Sequence, residues 1–242
     1  MEAVRREGAR RWFGTIASAP AGFLAKSAHR LATGRRAVIE VPIAAMEDAS
    51  TRAAFLHRFR RLAEDLQVAG VLLRIDGPPG GWAATQDLRQ AILGLRRAGK
   101  RVHAALSSPG NAAMVLASAC DRVFLAPLDE VGLVGIGAEL TFFGGALERL
   151  GVEPDFEAAG AYKSFGEPFT RTFASPANQE AVGALVHDLN DQLVSAIAAG
   201  RGLAEGGVRS LLAEAPLAAT RAREVGLVDE LLYPDEVERW VL

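Results

Sequence analysis

A single cysteine, Cys120, stands among 242 residues. No disulfide can form within the chain, and no cysteine-based metal cluster can assemble. Histidine is nearly as scarce. His29, His57, His103 and His187 are scattered, none paired at the short spacing that metal sites use. Each is read as structural, and neither a metal nor another cofactor is expected. Long apolar runs are missing too, since no stretch reaches the roughly 18–20 residues of a membrane span. The start of the chain lacks the form of a signal peptide: Gly and Pro interrupt the mildly apolar stretch from Trp12 to Ala25, and charges flank it. A large excess of one charge is also absent. The net charge of −2 argues against nucleic acid as the main partner.

What is present is apolar bulk and an uneven distribution of charge. Half of the residues are apolar, enough for a substantial core in one large domain or two small ones. Residues 1–36 hold eight Arg or Lys against Glu2 and Glu7, a local charge of +6 that leaves −8 on the remainder. This basic leader reads as a partly helical segment that is solvated or packed on the domain. The other reading is an amphipathic helix lying on anionic lipid, with its arginines on one face and Trp12, Phe13 and Ile16 on the other. The expected location is therefore membrane-associated or cytoplasmic.

From residue 37 to 242 the sequence alternates between strand and helix patterns, and we read one α/β domain. Residues 37–43 are β-branched and strand-like. Residues 50–67 place Ala54, Phe55, Phe59, Leu62 and Leu66 on one helical face. Residues 68–75 are apolar except for Arg74, as in a strand buried on both sides, and they end at a Gly/Pro-rich turn. Residues 84–98 are helical, 101–106 a strand, 111–119 a small-residue helix and 122–126 a strand. Residues 133–140 and 154–157 read as further strands, with a helix at 144–150 between them. A long helix covers 175–200, with Ser175 as its cap and Pro176 in its first turn. Short helices at 203–214 and 217–225 and a strand at 228–232 close the chain. Such alternation implies a mostly parallel sheet joined by crossover helices.

Three loops follow buried strands, the position at which open α/β sheets hold ligands. Gly80-Gly81 can expose backbone N–H groups toward an oxyanion formed in acyl transfer. Pro109-Gly110-Asn111 opens the small-residue helix. The third, Tyr162-Lys163-Ser164-Phe165-Gly166-Glu167-Pro168-Phe169-Thr170-Arg171, sets one lysine among apolar and aromatic residues. Burial there would disfavour the ammonium. A neutral lysine amine is a general base that can activate a serine without histidine. Glu167 and Arg171 stand at i,i+4 spacing and are expected to be structural, positioning the lysine segment or serving a subunit contact.

The Lys163 segment resembles the lysine motif of the S49 family of signal peptide peptidases, the SppA type. The stretch from Arg74 to Arg89, with Gly80-Gly81-Trp82-Ala83, is similar to the oxyanion-loop region of that family. Residues 116–123 are similar to its helix-to-strand passage, and residues 222–235 to its closing helix and strand. The resemblance implies a ClpP/crotonase-like fold and a Ser/Lys dyad peptidase, with Lys163 as general base and Gly80 and Gly81 binding peptide backbone or oxyanion. Its implied substrates are hydrophobic peptides such as signal peptide remnants. Where the family's complete dyads carry serine, this chain has Asn111, which offers no nucleophilic oxygen. The resemblance is to the lysine-bearing N-terminal half of the long SppA type, whose serine comes from a second domain of a neighbouring protomer in a ring. A homo- or hetero-oligomer is therefore implied, with the serine supplied by another domain or chain.

Ser107 and Ser108, three to four residues before Asn111, are the alternative nucleophiles. Ser164 is expected to point away from the Lys163 amine if the segment is extended, and Ser118 to face the sheet. Two other functions are open. One is a catalytically inactive pseudo-peptidase that serves as a scaffold or peptide-binding subunit. The other is a crotonase-like acyl-CoA enzyme, for which the expected acidic pair is missing.

Overall fold

The computed structural model describes residues 30–33, 36–43, 45, 48–77, 79–157 and 159–241. Of the basic leader, residues 1–36, the positions 1–29, 34 and 35 lie outside the described residues, and with them the helical and lipid-contacting readings; Arg30–Thr33 and Arg36 are strand residues. The chain divides into two compact units, one running to Val134 and resuming at Ala196, the other Gly135–Ser195.

The first unit is built on a sheet. β1 (Arg30–Thr33) pairs antiparallel with β2 (Arg36–Ile43), so the sheet begins ahead of residue 37. Next come α1 (Ala49–Glu64), β3 (Val68–Ile75), α2 (Trp82–Arg97), β4 (Arg101–Leu106), α3 (Asn111–Ser118) and β5 (Arg122–Leu125). β2, β3, β4 and β5 lie side by side in parallel. The run Val68–Ile75 sits inside the sheet because nearly every one of its side chains is apolar, and Val71, Leu72, Leu73 and Ile75 are fully buried.

Side chains alternate between the two faces of each strand. Leu88, Ile92 and Leu95 of α2 are buried as their helical spacing predicts, and so is Phe59 of α1. Leu66 departs from the reading: it lies past the end of α1 and is 83% exposed. α1 starts at Ala49 because the Asp48 carboxylate accepts from the Thr51 amide at 2.7 Å.

After β6 (Glu130–Val131) the chain enters the second unit. It contains α4 (Gly144–Arg149), α5 (Glu167–Thr170) and most of α6 (Pro176–Arg201). The strands expected at 133–140 and 154–157 do not form; among the described residues both stretches lie outside every strand of the two sheets. The stretches read as strand-like, but among the described residues no neighbouring strand completes their hydrogen bonds. Asn190 substitutes for a partner strand at one point. Its side chain accepts from the Ile136 amide at 2.9 Å and donates to the Ile136 carbonyl at 2.7 Å.

Back in the first unit come α7 (Glu205–Glu214), β7 (Leu217–Ala218), α8 (Ala219–Glu224), β8 (Glu230–Leu231) and α9 (Pro234–Val241). β7 pairs antiparallel with β6, and β8 extends the main sheet beside β5. α9 covers a face of the sheet: Val237 joins Val38, Leu72, Ala105 and Phe124 in one cluster. The fold class is α/β, as the alternating pattern implied.

Candidate active site

Two of the expected loops meet at the carboxyl edge of the main sheet. β3 and β4 are neighbours, with Ile75 opposite Leu106 and the Ser107 amide bonded to the Ile75 carbonyl at 3.2 Å. Gly80 and Gly81 follow β3 and lead into α2. Gly80 has φ +131°, a backbone conformation that L side chains rarely adopt. Gly81 is the N-cap residue of α2, and its carbonyl accepts the Thr85 amide at 3.2 Å. The first amides of such a helix have no acceptor within it.

Asn111 follows β4 and is the first residue of α3, directly after the N-cap Gly110. The loop before it is fixed in place. Asp129 accepts from the Ser108 amide at 2.9 Å and from the Ser108 hydroxyl at 3.0 Å. The Pro109 carbonyl accepts the Gly132 amide at 2.8 Å. Twenty-one residues separate Ser108 from Asp129, and no local spacing signals their contact. Ser118 faces α6 rather than the sheet. Its buried hydroxyl lies 2.8 Å from the Val115 carbonyl and 3.2 Å from that of Ala196.

Lys163 belongs to the second unit. The segment is a turn, not an extended strand: the Lys163 amide bonds to the Gly160 carbonyl at 3.3 Å. The alternating-face argument that placed Ser164 away from the amine therefore does not apply. The Lys163 side chain is exposed, which corrects the expectation of a lysine buried among apolar and aromatic residues. Its aromatic neighbours are exposed as well, Tyr162 by 62% and Phe165 by 77%. The other described lysine is unlike it. Lys100 is buried, and its ammonium donates to the Asp65 and Val68 carbonyls at 2.7 and 2.9 Å. Among the described residues, Lys163 is the lysine whose amine is not committed to the fold.

The segment around Lys163 is anchored on both sides. Tyr162 Oη donates to Glu180 Oε2 at 2.9 Å. Glu167 Oε2 accepts from the Ser175 amide at 2.9 Å and from Asn178 Nδ2 at 3.0 Å. The expected Glu167–Arg171 attraction is secondary, and the Glu167 carboxylate is directed to the start of α6. Hydrogen bonding from Ser175, hydroxyl first and then amide, holds the Glu167 carboxyl below its ordinary value of 4.5. Gly166 leaves room for Phe156, whose ring carbon lies 2.9 Å from where a Cβ would be. Phe156 stacks on Phe169 at 5.7 Å and meets Phe165 edge-on at 6.2 Å, while Phe169 stacks on Phe143 at 6.4 Å. These four rings form one continuous row.

Residues 94–241 match the family described as Peptidase family S49. Among curated proteins, the chloroplastic serine protease SPPA of Arabidopsis thaliana is 28% identical over 179 residues, 74% of this chain and 26% of that protein. A putative signal peptide peptidase SppA of Enterococcus faecium is 24% identical over 183 residues, 75% of this chain and 53% of its own length. Protease 4 of Salmonella typhi is 26% identical over 147 residues, 60% of this chain and 24% of that protein. The match thus spans about a quarter to a half of the length of these relatives. The α/β architecture agrees with the ClpP/crotonase-like fold of the family. With well over half of its length matched and with relatives of the SppA and protease 4 type, this chain belongs to peptidase family S49, as a peptidase domain.

Proposed function

We propose that this domain supplies the general base of a Ser/Lys peptidase whose serine comes from another domain or chain. The observation that carries this reading is the contrast between the two described lysines: Lys100 is bonded into the core, and Lys163 stands exposed and uncommitted on an anchored turn. Asn111 occupies the serine position at the start of α3. Its amide side chain cannot take the place of an alkoxide, so the nucleophile must be contributed from outside this position. A serine-bearing partner that covers Lys163 would also remove the water around it. That would lower the amine's proton affinity toward working pH. The Gly80-Gly81 loop then binds peptide backbone or the oxyanion.

The row of Phe143, Phe156, Phe165 and Phe169 supports an oligomer. Together these rings expose roughly 400 Å² at side-chain areas of about 200 Å² each. That lies within the range of the largest apolar patches of ordinary monomers and equals about half of one partner's share of a standard interface. Hydrophobic peptides, such as signal peptide remnants, are the proposed substrates, and the basic leader suits work at an anionic membrane surface. Among the described residues no helix is long and apolar enough to cross a membrane.

The test mixes the chain with serine-bearing S49 domains and follows cleavage of a fluorogenic hydrophobic peptide. Lys163→Ala is expected to lower kcat/KM by about 10²–10⁴-fold, the usual contribution of a general base, while Ser108→Ala leaves it unchanged. Activity of the chain alone that disappears with Ser108→Ala would overturn this account of the nucleophile. The second reading, a pseudo-peptidase scaffold, is favoured by Asn111 itself. It predicts assembly without cleavage in every mixture.

A further inference from the structure

In an ordinary capping box the third residue of a helix reaches back to accept the amide of the N-cap residue. α6 begins with Ser175 as N-cap: the Ser175 hydroxyl accepts the Asn178 amide at 3.2 Å. The reciprocal half of the box does not come from within the helix. Position 178 is asparagine, and the Ser175 amide is accepted by Glu167, which lies eight residues upstream in the lysine segment. Asn178, 6% exposed, then donates its side-chain amide to the same carboxylate oxygen. One carboxylate thus satisfies a helix-start amide and a buried side-chain amide, and it sits at the end of α6 where the helix dipole favours negative charge.

Four residues before Glu167 stands Lys163, and the residue before that, Tyr162, is bonded to Glu180 on the same helix. The turn bearing the amine is therefore a strap fastened to α6 at two points. Inside the strap, the Lys163 amide bonds to Gly160 and the Glu167 amide to Ser164, at 3.3 and 3.0 Å. A general base that must meet a hydroxyl from another chain gains from a fixed position, because misplacement by about 1 Å can cost 10²-fold.

We propose that Glu167 is the positioning residue for Lys163. By completing the N-terminal cap of α6 it holds the strap in one conformation, with the Tyr162–Glu180 bond as a second, independent anchor. This rests on the reading of Lys163 as general base and adds to it the residues that aim the amine.

The experiment has two arms. In the first, the chain alone is treated with trypsin, and cutting after Lys163 is compared with cutting at arginines of the first unit. Glu167→Ala is expected to speed the cut at Lys163 about tenfold and leave the arginine cuts unchanged. Glu167→Gln, which keeps an acceptor oxygen, should show a smaller increase, and Tyr162→Phe a separate one. In the second, peptide cleavage is measured with the serine-bearing partner. Glu167→Ala should lower kcat about tenfold with KM within twofold, and Glu167→Gln should recover part of the loss.

A strap no more accessible in Glu167→Ala overturns the proposal. So does a loosened strap with kcat unchanged, since Glu167 would then be structural only. If instead Lys163→Ala retains full activity, or no mixture with the wild-type chain cleaves peptide, it is the general-base reading that fails. The positioning role falls with it, although the trypsin arm still reports the anchor.

Discussion

Ser108 and Asp129 are joined by two hydrogen bonds, from the serine amide and from its hydroxyl, to opposite oxygens of one carboxylate. Ser108 is held at φ +42°, the non-glycine residue with positive φ among those described. Its hydroxyl is engaged by a carboxylate, in a loop tied down ahead of Asn111. Ser108→Gly should leave the denaturation midpoint nearly unchanged, because glycine adopts this φ without strain and offsets the lost hydroxyl bond. Ser108→Val should cost about 1–3 kcal/mol, since a β-branched residue is strained there. Equal effects from the two substitutions would contradict the backbone assignment.

Gly200 lies in α6 with its Cα against the Ser118 carbonyl, so close that an added Cβ would overlap that backbone. In an open helix Gly→Ala is stabilising by up to about 1 kcal/mol. Here the sign should reverse. Gly200→Ala is expected to cost about 1–3 kcal/mol in chemical denaturation, as overpacking does. Gly183, with nothing near its Cβ position, is the internal control and should show the ordinary gain.

The two described lysines should separate cleanly by stability. Lys100→Met leaves the Asp65 and Val68 carbonyls without their donor, at a cost of about 1–3 kcal/mol. Lys163→Met removes an exposed amine and should stay within about 0.5 kcal/mol. A large loss from Lys163→Met, read as a fall in Tm, would mean that the amine is structural after all.

His103 gives the fold a pH dependence whose sign is fixed. Burial, first among the causes, pushes its imidazole below 6.5; Asp121 and Asp229 raise it, and Arg101 and Arg122 lower it. Nδ1 is buried without a partner, and the ring packs edge-on against Trp240 at 5.4 Å. The unfolded chain binds this proton more readily than the folded one. Stability from His103 is therefore present above pH 6.5 and declines as pH falls below it, with a slope of at most about 1.4 kcal/mol per pH unit. His103→Leu should flatten the Tm profile between pH 5 and 7, and an unchanged profile would exclude His103 as its source.

Local patterns located most of the first unit. Val68–Ile75 and Arg101–Leu106 have the bounds that their apolar runs implied, and Ser175 caps α6 as its hydroxyl and the following Pro176 suggested. The same logic misled at 133–140 and 154–157, where a strand-like pattern meets no partner strand. It also missed α9, whose one buried residue, Val237, leaves a thin apolar stripe over eight residues. Lys163 was visible through its motif, but its exposure was not. Burial depends on what the rest of the chain brings near, and the four phenylalanines around the segment pack on one another without covering the amine.

The sequence by itself determined the alternation of strand and helix, the Gly80-Gly81 turn, and an amide at Asn111, where the resemblance to S49 peptidases implies a serine. Each of these is written in neighbouring residues, through side-chain periodicity, glycine's access to positive φ, and the chemistry of an amide. The tertiary structure alone decided that Asp129 fastens Ser108, that Glu167 closes the cap of α6, and that Lys100 is consumed by the core while Lys163 is not. Those outcomes join groups that lie eight to thirty-five residues apart. They are set by which donors and acceptors remain unsatisfied once the backbone has been placed.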